Sequence, residues 1–218
     1  FPRIQDNKYS HFAHFPVFPS YLNEDNISVR PVSALVCNFP EPSDDQPSLL
    51  SYNMAATLFH EFGHALHNML SQTRFASLSG SKVPRDFVEA PSQLLEYWLK
   101  APEVLETFAI NYLDPNDTFP TETLKKLLEA ERATKAMSLQ GNLAFSLIDL
   151  ELHSLKEIQE DFDPIAIGEK IFSETFFPSA KDASRLTSFR HIFASSYDAG
   201  YYGYAWSDSL AADMSSEF

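Results

Sequence analysis

The sequence predicts a mainly α-helical protein whose only strands lie near its start. Three observations carry that expectation. In a chain of 218 residues glycine is scarce (6) and phenylalanine abundant (19), which disfavours a glycine-looped nucleotide binder and favours a packed helical body. From Ser51 onward, apolar residues recur at the three- and four-residue spacings of a helix face. Before that point the chain is Pro-rich and irregular, with two strand-like runs. The hydrophobic fraction of 44% and charged fraction of 21% belong to a globular chain. Its length suits burial of a core without staples. A net charge of −14 argues against nucleic acid or an anionic membrane as main partner. No apolar run reaches membrane-spanning length, and the N-terminus does not read as a signal peptide. One cysteine, Cys37, excludes an internal disulfide framework and a cysteine-rich zinc module.

In chain order, His11–Phe18 is aromatic and roughly alternating, and Val32–Phe39 is a short apolar run bounded by Pro31 and Pro40; both are expected strands. Residues 41–47 are a polar loop. Met54, Leu58, Phe62, Ala65, Leu66 and Met69 then define a helix ending near Ser71. Residues 73–85 form a loop broken by Gly80 and Pro84. Asp86, three residues before Glu89, signals a second helix running to about Leu99, with Pro91 in or just past its first turn. A third helix is expected over Ala101–Tyr112, a turn over Asp114–Pro120, and one long helix, or two joined near Gly141, over Thr121–Glu160. Pro164–Thr175 and Tyr204–Ser216 complete the helices. With no repeat and no clear boundary, residues 1–218 read as a single segment: 1–47 loop and small sheet, 48–218 helical.

The first helix carries His60-Glu61-Phe62-Gly63-His64, an HExxH string. Histidines four apart project from one helical face, so both imidazoles can reach one ion, and zinc suits them. Glu61, beside the first of them, is placed to act as general base toward water. The bland alternative is two surface histidines, but flanking apolar residues make the helix partly buried, where unpaired His and Glu are costly. A metzincin needs Gly and His three and six positions after the second His. His67 and Leu70 stand there and exclude that class. Glu89, at the start of the next helix, is the attractive third ligand, returned to the histidines by a helix–loop–helix hairpin. Gln93 and Glu96 follow on the same face, where they either orient the ligands or are satisfied elsewhere. His67 reads as packed or solvated rather than as a fourth ligand that would close the water site.

Phe189–Trp206 (FRHIFASSYDAGYYGYAW) gathers His191, Tyr197, Tyr201, Tyr202 and Tyr204 around two glycines. Taken alone it is an aromatic core or interface patch. Beside a metal motif, its Tyr hydroxyls and His N–H become candidate donors to an oxyanion.

The run FHEFGHALHNMLSQTRFASLSGSKVPRDFVEAPSQLLEYW and the tail HIFASSYDAGYYGYAWSDSLAADM resemble the thimet oligopeptidase family of zinc metallopeptidases. The upstream runs KYSHFAHFPVF and VRPVSALVCNFPEP are similar to it too, so the resemblance covers nearly the whole chain. It implies a helical zincin-type catalytic region with a small antiparallel β-sheet beside the active-site cleft. It implies one Zn2+ held by His60, His64 and Glu89, with Glu61 activating water and relaying its proton to the leaving amine. Tyr197 and Tyr204 would hydrogen-bond the tetrahedral intermediate, assisted by His191. Tyr201 would tune substrate fit, Glu96 would support a ligand, and Arg85 would hold substrate or a flanking loop. The edge of Leu35–Phe39 would pair with an extended peptide. Ser195-Ser196 departs from the family's glycine pair before Tyr197 and restricts that loop's bending. The family also has a longer helical N-terminal region and a further helical tail, which are expected to be missing here.

The reading is therefore the catalytic segment of a zinc-dependent oligopeptidase acting on short peptides, cytoplasmic and monomeric in its full-length form, with no nucleic acid or membrane partner. Removal of C-terminal dipeptides is the alternative. An inactive zinc-binding fragment and a helical protein with an accidental HExxH remain as competing classes.

Overall fold

The computed structural model describes residue 8, residues 11–178, residue 180, residues 184–194 and residues 197–217. Ser195 and Ser196, the departure noted above, lie outside the described residues. The chain opens with β1 (Ala13–Phe18), which pairs antiparallel with β4 (Val32–Val36) in the register His14 opposite Leu35. Between them β2 (Tyr21–Leu22) and β3 (Ser28–Val29) form a second, shorter antiparallel pair. Both expected strands are present and are shorter than the runs that announced them. The fold is mainly α with small two-stranded sheets, as the sequence predicts.

The central helix, α1 (Tyr52–Met69), starts at Ser51, whose hydroxyl accepts the N–H of Met54. The expected second helix is interrupted. One turn, α2 (Arg85–Val88), ends at Glu89, and α3 (Ala90–Glu96) begins directly after it. Pro91 is the physical reason: it donates no N–H and its ring clashes with the carbonyl four residues back, at Phe87. Glu89 therefore stands at a break, not inside a helix. Asp86 does not cap the start; the capping position is Pro84, with no side-chain bond.

Two further expectations are corrected. The third helix, over 101–112, shrinks to the single turn α4 (Pro102–Leu105). The turn over 114–120 is a strand: β5 (Ile110–Asn111) and β6 (Asp114–Thr118) form a hairpin. Local polar bonds outcompete the helix here. The Asn111 side chain accepts the N–H of Leu113 and donates to Asp117, and Asp114 accepts the N–H of Asn116. The long helix is one piece, α5 (Thr121–His153), ending before Glu160. It passes Gly141 unbroken, the Phe176 ring lying 3.6 Å from where a Cβ would stand. Then follow α6 (Pro164–Thr175), capped by the Asp163 carboxylate, the single turn α7 (His191–Ala194) and α8 (Gly203–Ser215).

Two apolar clusters hold these elements. Leu99, Leu105 and Leu124 pack beneath the first half of α1, against Tyr52 and Phe59. Ile148, Phe172, Phe189 and Ile192 join α5, α6 and α7. Among the described residues no helix is long and apolar enough to cross a membrane.

The crossing of α1 and α3 is unusually close. A Cβ on Gly63 would sit 2.6 Å from the Ser92 Cα and 2.8 Å from the Pro91 carbonyl oxygen, both main-chain atoms. The α1–β1–β4 contact is polar: buried Asn68 donates to Ser33 Oγ at 2.8 Å and to the Val32 carbonyl at 3.3 Å. The substitution Gly63→Ala is expected to force α1 and α3 apart and to cost about 1–3 kcal/mol, read by chemical denaturation. A loss within error of zero would mean that the two helices separate freely.

Candidate metal centre

The close crossing faces the HExxH turn of α1 toward the α2–α3 break. His60, Glu61 and His64 come from α1 and Glu89 from the break itself. Ligand atoms of His60, His64 and Glu89 all lie within 4.8 Å of one another, the one such group among the described residues. Glu89 Oε2 is 3.2 Å from His60 Nε2 and 3.0 Å from His64 Nε2. The carboxylate is only 3% exposed, so its charge must be compensated by neighbours. Ser92 supplies part of this, donating to Glu89 Oε2 at 3.1 Å and to its carbonyl at 2.8 Å. The Tyr197 hydroxyl donates to Glu89 Oε1.

His60 is oriented from behind: Glu96 Oε1 lies 2.7 Å from His60 Nδ1. That contact puts the Nδ1 proton on the carboxylate side and leaves Nε2 facing Glu89 and His64. Burial opposes a charge on His60, but the hydrogen bonds and charges of Glu89 and Glu96 outweigh it and raise its pKa to about 10. Burial likewise opposes the Glu89 carboxylate, and its hydrogen bonds to His60 and His64 hold it far below the usual range. Two imidazoles and a carboxylate converging on one point, with one imidazole fixed by a second carboxylate, is a donor set that fits a divalent transition metal.

Glu61 reaches the β1–β4 ribbon. Its Oε2 accepts the backbone N–H of His14 at 2.7 Å. The His14 ring lies 3.0 Å (Nε2) from Ser33 Oγ and stacks on His64 with centroids 6.2 Å apart. Burial first, then the charges of His64 and His67, lower the His14 pKa to about 4. The strand edge offered to Glu61 is thus β1, whose partner β4 carries Leu35 and Val36 of the run expected in the small sheet.

The aromatic loop comes in from the α8 side. Tyr197 and Tyr204 stack with centroids 4.9 Å apart, and the His191 ring lies 6.1 Å from Tyr197 and 6.2 Å from Tyr204. Burial, then the negative charge of Glu89, raises both phenols well above their ordinary value, so they stay protonated donors. Burial lowers the His191 pKa, against the pull of Glu89. The Arg85 guanidinium sits over the Tyr197 ring, 5.0 Å from its centroid, and so braces the loop. Tyr201 joins this group to the aromatic core, 5.1 Å from Tyr204 and 5.8 Å from His191 on one side, 4.7 Å from Phe189 and 6.0 Å from Phe145 on the other. Gln93 does not touch a ligand; its amide donates to the Tyr204 carbonyl at 3.2 Å. His67 packs edge-on to Phe87, outside the cluster. Sequence reasoning passed over Ser92 and the His14 amide. A hydroxyl one turn after Glu89 was a legible signal for the first; a main-chain donor left none for the second.

A profile described as Peptidase family M3 matches residues 3–218. The chain is 34% identical to saccharolysin of Saccharomyces cerevisiae over 96% of its own length and 30% of that protein. It is 40% identical to oligopeptidase A of Escherichia coli over 87% of its length and 28% of that protein. To dipeptidyl carboxypeptidase of E. coli it is 37% identical, over 84% and 27% respectively. The chain thus spans about a third or less of the curated relatives it matches.

The cluster has a defined pH signature in its metal-free form. His60 has a folded pKa above its ordinary 6.5, so its pairing stabilises the fold fully below that value and the stability is lost as pH rises through about 10. Glu89 is depressed, so its contribution is present above 4.5 and is lost as pH falls through its lowered folded value. Metal uptake at neutral pH must displace the His60 proton, so calorimetry in buffers of different ionisation enthalpy should show at least one proton released per ion. Zero release would contradict a ligand role for His60. Glu96→Ala should weaken Zn2+ binding about 10–100-fold in a chelator competition, and unchanged affinity would remove Glu96 from the centre.

Proposed function

The chain belongs to peptidase family M3, and from that premise we propose that it is the catalytic segment of a zinc-dependent oligopeptidase that hydrolyses short peptides. The convergence of His60, His64 and Glu89 on one point, with Glu61 next to His60 along α1, carries the proposal. The names of saccharolysin and oligopeptidase A support peptides as the substrate class. Dipeptidyl carboxypeptidase, at comparable identity, supports a second reading in which C-terminal dipeptides are removed. Mass spectrometry of the products from one peptide series separates the two.

In this proposal His60, His64 and Glu89 hold zinc, and Glu96 keeps His60 in the tautomer that presents Nε2. Bound zinc supplies Lewis acidity, polarising a carbonyl and making water a usable nucleophile at neutral pH. Glu61 takes the proton from the attacking water and returns it to the leaving amine. The His14 amide fixes one Glu61 oxygen, leaving the other for that proton. Tyr197 and Tyr204 are kept neutral by burial, so they can donate to a carbonyl oxygen as it gains charge, with the His191 ring beside them. The Tyr197 hydroxyl is engaged with Glu89 here, so serving a substrate requires it to release that carboxylate. Arg85 steadies the Tyr197 ring, and Tyr201 spaces the loop from the core.

The test is Glu61→Gln, which keeps the size and one acceptor of the side chain and abolishes the base. Cleavage of a quenched-fluorescent peptide should fall about 10²–10⁴-fold while metal content stays at the parent level. Undiminished turnover would overturn the mechanism. Absence of bound zinc in a metal analysis of the parent would overturn the metal assignment.

A further inference from the structure

Asp149 lies in α5, remote in sequence from every residue placed in the centre. It is 0% exposed, yet no metal ligand touches it and none of the steps above uses it. A buried carboxylate is retained only where donors satisfy it. Here two main-chain amides do. Oδ1 accepts the backbone N–H of Ala199 at 2.9 Å, and Oδ2 accepts the backbone N–H of Tyr201 at 2.9 Å. One turn later on the same helix, His153 Nδ1 bonds the Asp149 main-chain carbonyl at 2.9 Å and lies 2.9 Å from Oδ1. Both loop amides belong to the turn between Tyr197 and Tyr204, whose main-chain bonds also include Gly200 N–H to Tyr197, Gly203 N–H to Gly200 and Tyr204 N–H to Tyr201.

That turn is strained. Ala199 has a φ of +54°, a left-handed conformation that residues with a Cβ adopt at a cost. Something must hold it there, and the N–H of this same residue is one of the two that Asp149 binds. Charge-assisted bonds to a carboxylate are roughly twice as strong as neutral ones, and here they act out of contact with water. The anchor itself is rigid: neighbours of Asp149 on α5, Ala144 and Ile148, are fully buried against α6 and α7.

We propose that Asp149 is a positioning residue that clamps the tyrosine loop, setting where the Tyr197 and Tyr204 hydroxyls meet the substrate carbonyl. Through two main-chain bonds it fixes the turn, the turn fixes the two rings, and Arg85 and Gln93 only steady them from the far side. This rests on the reading of those tyrosines as donors in peptide hydrolysis. Asp149 touches no reacting atom, and zinc affinity does not depend on it.

The experiment compares the zinc-loaded parent chain with Asp149→Asn and Asp149→Ala, using amide hydrogen exchange, zinc competition and cleavage of a quenched-fluorescent peptide. The Ala variant should expose the Ala199 and Tyr201 amides to fast exchange while α1 and α3 amides keep their protection. Its kcat should fall about 10²-fold with KM changed far less, as expected for misplaced transition-state donors. Zinc affinity should remain within about twofold of the parent, since the ligands of the ion are untouched. Asp149→Asn keeps the volume and one acceptor, and should release one of the two amides with a smaller loss of kcat. Should the Ala variant fail to fold, the Asn variant carries the same comparison. Unaltered exchange at Ala199 and Tyr201 would overturn the clamp, and so would a loss of zinc affinity in step with kcat. If the parent itself cleaves no peptide while the two amides still become exposed in the variants, the clamp stands and the hydrolytic reading fails.

Discussion

A single buried carboxylate organises this structure. Glu89 is almost completely withdrawn from water, and a charge so placed survives only if every neighbour serves it. Two imidazoles from α1, a hydroxyl one turn further along and a phenol from the far end of the chain all converge on it. Those partners come from three separate stretches of sequence. Satisfying Glu89 therefore requires the α1–α3 crossing and the tyrosine loop to be in place together. The metal reading follows from the same constraint. A divalent ion is a partner that could satisfy the carboxylate and both imidazoles at once.

The rest of the molecule holds that arrangement from two sides. The β1–β4 ribbon is tied to α1 through Asn68 and Ser33, and this registers the His14 amide on Glu61. On the other side, α8 docks against the α2 turn: a Cβ on Gly203 would lie 3.0 Å from the Arg85 carbonyl oxygen, and Ser207 donates to the Asp86 carbonyl at 2.7 Å. Glu61 and the two histidines thus share a helix but answer to different supports. Glu61 is held by a strand edge, whereas the histidines meet Glu89 through helix packing.

Much of this was legible in the sequence, for identifiable reasons. His60, Glu61 and His64 were readable because helical periodicity alone fixes their relative directions. Glu89 and Glu96 were readable because a hairpin of two helices has few ways to fold back. Pro91 carried the signal for the break at Glu89, yet a continuous helix was expected, since proline is also tolerated in a first turn. The hairpin at 110–118 was missed because Asn111 and Asp114 act through side-chain bonds that no apolar pattern records. The packing of Tyr201 is a different case. Nothing in a row of tyrosines says which of them also meets the aromatic core, and the Phe145 and Phe189 rings decide it.

The contact at Gly63 has a mechanical meaning. Most helix pairs are held apart by side chains that can change rotamer, so their spacing drifts with the core. Here main chain abuts main chain, and the crossing has a hard stop. The distance between the histidine-bearing turn and the Glu89 carboxylate is therefore set by atoms that cannot rotate out of the way. Repacking of the leucine cluster below or of the aromatic cluster beyond can stiffen or loosen the chain without changing the bite offered to an ion. The geometry of the His60–His64–Glu89 cluster is insulated, by one missing methyl group, from the accidents of the core around it.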